Sequence, residues 1–228
     1  MKRLKSKPDK SFFDCRILPQ LSKPESIVAG VDEVGRGALF GPVVAAAIAI
    51  PVSAVDKLTE IGVKDSKQLS ARKRSKLSAQ IKELIINWQI GLVDSQKIDE
   101  INIFQASLLA MGKAVHKLQP SPSLCLVDGR HPLKIVNVSQ HNLIKGDLRS
   151  PVIAAASIIA KVWRDELIIK YAGDYPNYDL AANKGYGTKK HLEALAKYGP
   201  SPLHRLSFRP CRLSPLGRSV NPLGAKFI

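Results

Sequence analysis

Between Ile27 and Pro200 the chain alternates short, wholly apolar runs with longer stretches whose apolar residues return every three or four positions. The first kind predicts buried strands and the second predicts amphipathic helices. Ile27-Val-Ala-Gly-Val31 reads as a strand ending in a Gly-rich turn, and Val43–Ile50 as a second, entered through Gly41-Pro42. Leu77, Ile81, Leu84 and Ile85 space a helix over 70–88, with Ser70 as its N-cap. Trp88–Val93 follows as a third strand. Ile101, Phe104, Leu108, Met111 and Val115 share one side of a second helix over 99–118. Ser123–Val127 is a fourth buried strand, closed by Asp128-Gly129, and His141–Lys145 a fifth. Pro151–Tyr171 reads as a long helix whose Ala154, Ala155, Ala156, Ser157 and Ala160 allow close packing. A last helix over 188–198 has Thr188 as N-cap, Gly199 just past its end and Pro200 as its stop. The sum is an α/β domain with helices covering a mixed sheet.

Charge divides the chain differently. The 228 residues carry 35 Lys and Arg against 19 Asp and Glu, a net +16. Residues 1–26 contribute +4 and residues 201–228 contribute +5, leaving +7 for the whole middle. The expected organisation is therefore a basic N-terminal arm (1–26), a folded domain (27–200) and a basic C-terminal tail (201–228). Such a balance points to a polyanionic partner, nucleic acid first, with plain solubility as the bland alternative. No apolar run approaches the ~20 residues of a membrane span. The basic start is followed by Asp9, Lys10 and Ser11 rather than by an apolar stretch, so no secretory signal is expected. Cys15, Cys125 and Cys211 are scattered and odd in number, which fits a reduced, cytoplasmic setting.

In so basic a chain, acids in apolar surroundings carry information. Asp32-Glu33 follows the first strand, Asp128 the fourth and Asp147 the fifth, so three strand ends deliver four carboxylates. Adjacent strand residues face opposite ways, so Asp32 and Glu33 share a site only if the strand ends there. The Gly35-Arg36-Gly37 turn supplies such an end. Four carboxylates form a hard oxygen donor set suited to Mg²⁺ or Mn²⁺. Taken singly, Asp128 is equally well a turn former beside Gly129, and Asp147 a helix cap. The five histidines show no metal-type spacing. Gly35 and Gly37 let backbone amides approach phosphate or hydroxyl oxygens, and Arg36 pairs with phosphate, unless the segment is an ordinary tight turn. Tyr186, flanked by glycines in Lys184-Gly-Tyr-Gly-Thr188, either presents its ring to a sugar or base or caps the core.

These residues recur in an ordered set. Gly30-Val-Asp-Glu-Val-Gly-Arg-Gly37, Asp65-Ser-Lys-Gln-Leu-Ser70, Val127-Asp-Gly129 and Lys145-Gly-Asp147 are followed by three more segments. Those are Ala154-Ala-Ala-Ser-Ile-Ile-Ala-Lys-Val-Trp-Arg-Asp165, Lys184-Gly-Tyr-Gly-Thr188 and Gly199-Pro-Ser-Pro-Leu-His-Arg-Leu-Ser-Phe208. The set, spread over roughly 27–210, resembles the bacterial ribonuclease HII family. The resemblance implies an RNase H-like mixed sheet flanked by helices, with a C-terminal helical extension. It implies cleavage of RNA in RNA–DNA hybrids and incision at ribonucleotides embedded in duplex DNA, in the service of DNA replication and repair. By the same resemblance Asp32, Glu33, Asp128 and Asp147 are the catalytic carboxylates, binding two Mn²⁺ or Mg²⁺ ions. Gly35, Arg36 and Gly37 sense the ribose 2′-OH, Lys67 contacts phosphate, and Tyr186 stacks on the deoxyribose at the RNA–DNA junction. Asp165, four residues after Lys161 in a predicted helix, is read as a structural ion-pair partner and not as the fourth ligand. A monomer is expected, with no membrane partner.

Overall fold

The first strand does not stop at Val31. In the structure, a computed structural model that describes residues 23–63, 69–134 and 136–213, β1 (Ile27–Val34) carries on through Asp32 and Glu33. It does so because its antiparallel neighbour β2 (Val43–Pro51) pairs with it along the full length, from Ile27 opposite Pro51 to Val34 opposite Val44. On its other side the parallel ladder with β4 (Leu124–Asp128) ends at Val31 opposite Val127. The expected strand end is thus real on one edge only, and the acids begin where that edge opens. β3 (Asn87–Val93) lies antiparallel outside β2, and β5 (Gln140–Leu143) lies parallel outside β4. The order β3-β2-β1-β4-β5 is the mixed five-stranded sheet of an RNase H-like α/β fold.

Side-chain alternation sorts the sheet into two cores. Val28, Ala46, Ile48, Ile50 and Leu126 face α1 (Val55–Glu60), α2 (Ala71–Leu84) and the long α5 (Pro151–Asp174). Ala29, Val31, Ala45, Ala47 and Val127 face α3 (Ser95–His116). Small residues set the distances. A Cβ on Gly30 would sit 2.6 Å from the Val152 carbonyl group of α5, and one on Gly91 would land on the Ala110 carbonyl of α3. The predicted helix over 99–118 begins earlier, at an Asp94 cap, and breaks at Asn102 (φ 64°). The Asn102 side chain accepts the N–H groups of Phe104 and Gln105 and so restarts the helix.

After β5, the one-turn α4 (Gly146–Arg149) leads directly into α5, which Ser150 caps by accepting the Ile153 N–H. A third apolar cluster stands at the far end of α5. It joins Leu39 and Phe40 to Tyr178, to Leu180 on α6 (Leu180–Asn183), to Leu195 on α7 (Lys189–Tyr198) and to Leu203 and Cys211 beyond it. The sequence places residues 201–213 in a tail, but here they are part of the body. Leu203, His204, Arg205 and Cys211 are buried, α8 (Arg209–Arg212) packs on, and Asp99 of α3 accepts the N–H groups of Leu206 and Ser207. Apolar anchors spaced through a basic stretch outweigh its tail-like composition. The remainder of the expected tail (214–228), and the expected arm up to Leu21 and Ser22, lie outside the described residues. Among the described residues no helix is long and apolar enough to cross a membrane.

Candidate active site

Asp32 is the residue after the last β1–β4 pair, and Asp128 holds the same level at the end of β4. Both leave the face that α5 covers, so the two carboxylates converge. Glu33 belongs by alternation to the opposite face. Beyond Val31 there is no β4 pairing to hold it there, and its longer side chain brings an oxygen back to the same point. One oxygen from each of Asp32, Glu33 and Asp128 lies within 4.8 Å of the others. The backbone steers two of them: Asp32 Oδ1 accepts the Glu33 N–H at 2.7 Å, and Asp128 Oδ1 accepts the Gly146 N–H at 2.6 Å. Asp147 is buried on the wall of the same cleft, outside that group of three.

This crowding is electrostatically unfavourable as it stands. Burial pushes the Asp32 carboxyl well above its ordinary range, and Glu33, Asp128 and Asp147 push it further, against a hydrogen bond from Ser157. Burial also raises Glu33, opposed by Arg36, whose guanidinium donates to Glu33 Oε1 at 3.0 Å. Hard carboxylate oxygens held together in a buried, like-charged group fit a divalent cation such as Mg²⁺ or Mn²⁺, which would relieve the repulsion.

The cleft has a volume of about 400 Å³. The acids form one wall, the Gly35-Arg36-Gly37 turn and Tyr186 another, and Arg74, Ser157 and Lys161 complete it. Asp165 is not on that lining. It receives Lys161 Nζ at 2.7 Å and lies 3.9 Å from Arg74, so it organises two of the cations that do line the cleft. Lys161 also stands 5.3 Å above the Tyr186 ring. Lys67, expected to contact phosphate, lies outside the described residues.

The glycines separate in role. Gly35 has φ +89°, and a Cβ there would run into the Arg164 guanidinium, so its bareness makes room for a side chain beneath the loop. Gly37 faces open space, where a ligand has access. Arg164 and Arg205 escaped the sequence reading, though both stand in quoted motifs. Each is fully buried. Arg164 donates to the carbonyls of Phe40, Pro42 and Lys184 at 2.9–3.1 Å, tying the Gly-Arg-Gly loop to the Gly-Tyr-Gly loop. Arg205 donates to the carbonyls of Arg36 and Gly41 at 2.8 and 3.0 Å. Backbone atoms of Ala38 and Tyr186 pair directly as well. A charged residue inside an Ala- and Ile-rich helix was the available signal for Arg164.

Comparison with known proteins agrees with this geometry. A sequence model of the family described as Ribonuclease HII matches residues 29–211. The chain is 57% identical over 197 residues to the ribonuclease HII of Nostoc sp. (strain PCC 7120), covering 86% of this chain and 88% of that one. Among solved structures it is similar to the ribonuclease H2 of Pyrococcus horikoshii OT3, with TM-score 0.73 and 29% identity over 85% of this chain and all of that one. It is also similar to the RNase HII of Archaeoglobus fulgidus seen in complex with PCNA, with TM-score 0.67 and 27% identity, covering 78% and 92% of the two chains. Such relatives are endoribonucleases that act on RNA–DNA hybrids and depend on divalent metal. By sequence match, fold and acidic centre alike, this chain belongs to the ribonuclease HII family.

Proposed function

We propose that this endoribonuclease also incises duplex DNA on the 5′ side of single embedded ribonucleotides, leaving 3′-OH and 5′-phosphate ends. The observation that carries the reading is the meeting of Asp32, Glu33 and Asp128 oxygens within 4.8 Å on a cleft that also presents Gly37 and Tyr186. Asp32, Glu33, Asp128 and Asp147 would hold two divalent ions, Mg²⁺ or Mn²⁺. Bound there, such ions supply Lewis-acid help to an attacking water and to the departing 3′ oxygen of an in-line displacement.

The chain's own residues do the rest. Asp32 orients Glu33 by accepting its N–H, and Gly146 fixes the Asp128 oxygen. Lys161 and Arg74, steadied by Asp165, offer positive charge to the backbone phosphates without reading sequence. The backbone at Gly35–Gly37 meets the ribose 2′-OH, the one group that separates RNA from DNA at a single position. Arg36 approaches the adjoining phosphate, and Tyr186 stacks on the neighbouring deoxyribose. The enzyme works as a monomer in the cytoplasm, where Cys125 and Cys211 stay as free thiols, and serves ribonucleotide removal in DNA repair and replication.

The test uses duplex DNA with one ribonucleotide, an all-DNA control and a continuous hybrid, with Mg²⁺ or Mn²⁺. Incision 5′ of the ribonucleotide with the control intact is the expected result. Cutting of the hybrid alone would overturn the single-ribonucleotide reading.

A further inference from the structure

Two buried imidazoles lie behind Tyr186. His191, on the first turn of α7, and His204, in the segment after it, are closed off from solvent, and their Nε2 atoms stand 3.0 Å apart. One of these facing nitrogens must carry a proton and the other must not. Their far ends decide which. His204 Nδ1 accepts the Ser201 backbone N–H at 2.9 Å, so the His204 proton sits on Nε2 and points at His191. His191 Nε2 accepts it, which leaves the His191 proton on Nδ1, where it is donated to the Tyr186 carbonyl at 2.9 Å. The hydrogen bonds thus run one way, from Ser201 through both rings to Tyr186.

Both rings must be neutral for this chain to exist, and burial favours that: it lowers His191 and brings His204 down to about 3. Aromatic rings clamp the pair, with Phe40 at 5.0 Å and Tyr178 at 4.7 Å from His204. The Tyr186 carbonyl also accepts the Thr188 N–H at 2.8 Å. That second bond is local to the loop. The one from His191 joins the Ala38 pairing in tying Tyr186 to the rest of the molecule.

We propose that the tautomer-locked His191–His204 pair positions Tyr186, setting where its ring stands across the cleft from the Asp32 cluster and so how strongly the enzyme favours a single ribonucleotide over a continuous hybrid. The inference rests on the reading of Tyr186 as the junction contact. Neither histidine touches substrate, and both act through the loop that carries the tyrosine.

The experiment compares kcat and KM of wild type, His191→Phe, His191→Asn and Tyr186→Ala on the single-ribonucleotide duplex and on the hybrid. His191→Phe keeps a ring but donates nothing. It is expected to lower kcat/KM on the single-ribonucleotide substrate roughly tenfold more than on the hybrid, in the same sense as Tyr186→Ala. His191→Asn places an N–H near the old Nδ1 and is expected to restore most of the preference. Equal losses on both substrates for His191→Phe, with Tyr186→Ala still selective, would overturn the positioning role alone. So would an Asn variant no better than Phe. An unselective Tyr186→Ala would instead overturn the reading of Tyr186, and the inference with it. Imidazole ¹⁵N spectra of the wild-type protein give a readout independent of activity: Nδ1–H on His191 and Nε2–H on His204 are expected, and the reverse pattern would overturn the proposal.

Discussion

Two groups of buried charge flank the Gly35–Gly41 loop, and they are built on opposite plans. On the cleft side, carboxylates crowd one another, and their burial and mutual repulsion raise Asp32. On the other side, burial lowers both Arg164 and Arg205, and Arg164 lowers Arg205 further, to about 9. Yet the guanidiniums are answered largely from within, five of their N–H groups going to carbonyls of the chain, although Arg205 Nη2 is buried without a hydrogen-bond partner among the described residues. The carboxylates meet one another instead, with oxygens of Asp32, Glu33 and Asp128 within 4.8 Å. Fixed dipoles make the arginine side a fastening, whereas crowded like charge makes the acid side a place suited to a cation.

The sharpest break in this contrast comes from removing one charge on each side. Asp32→Asn is expected to cut cleavage roughly 10³-fold, about 4 kcal/mol of barrier. Its melting temperature in chelator should hold or rise, since a repelled carboxylate is gone. Arg164→Met is expected to lose about 3 kcal/mol of stability, near 1 for each carbonyl left without its donor. A fall in the Asn variant's melting temperature comparable to that of the Met variant would erase the distinction.

Asp147 and Asp165 refine the same boundary. With Asp147 as fourth ligand, Asp147→Asn should slow cleavage roughly 10²-fold. Asp165→Asn, which only loosens Lys161 and Arg74, should cost a few-fold at most, about 0.5–1 kcal/mol. Single-turnover rates on well-folded variants decide it, and the reverse ranking would make Asp165 the functional acid.

Smaller still is a pair of alanines. Gly35→Ala puts a methyl group against Arg164 at φ +89° and is expected to cost about 2–3 kcal/mol, whereas Gly37→Ala, facing open space, stays within about 1 kcal/mol. Urea denaturation of both variants measures the gap. Equal costs would mean that Arg164 does not need the slot under the loop.

The mildest effect is one of pH. His204 is lowered from 6.5 to about 3, so between those values the unfolded chain binds a proton that the folded one refuses. Stability is therefore full above the unfolded value and falls as pH drops below 6.5, by up to about 1.4 kcal/mol per pH unit for one proton. His191 adds in the same direction. Between pH 6.5 and 5.5, His204→Gln should show the shallower slope in chemical denaturation, and an unchanged slope would count against a neutral His204.

The same contrast explains what the sequence could yield. Ser70 and Thr188 cap their helices as expected, Gly199 turns at φ 74°, and the strands and longer helices come in the predicted order, because those signals are local. The helix expected over 70–88 stops at Leu84, and the short α1, α4, α6 and α8 were not foreseen. The acids were visible because a carboxylate after an apolar strand is conspicuous. Arg164 was overlooked because two of its partners are backbone carbonyls 122 and 124 residues away, and a carbonyl has no letter in the sequence. Composition misled at 201–213, where Pro, Ser and Arg surround the few apolar residues that dock. The break at Asn102 was hidden because its side chain restores the hydrogen bonds that its backbone interrupts.

The one-sided end of β1 also works as a gauge. Parallel strands repeat every ~4.8 Å, so side chains leaving one face at the same level start out that far apart. Because Asp32 and Asp128 stand at one level on neighbouring strands, just past the last β1–β4 pair, the sheet has already brought them together before any rotamer is chosen. The tolerance of the centre is thus inherited from the backbone hydrogen-bond lattice, the least adjustable distance in the molecule.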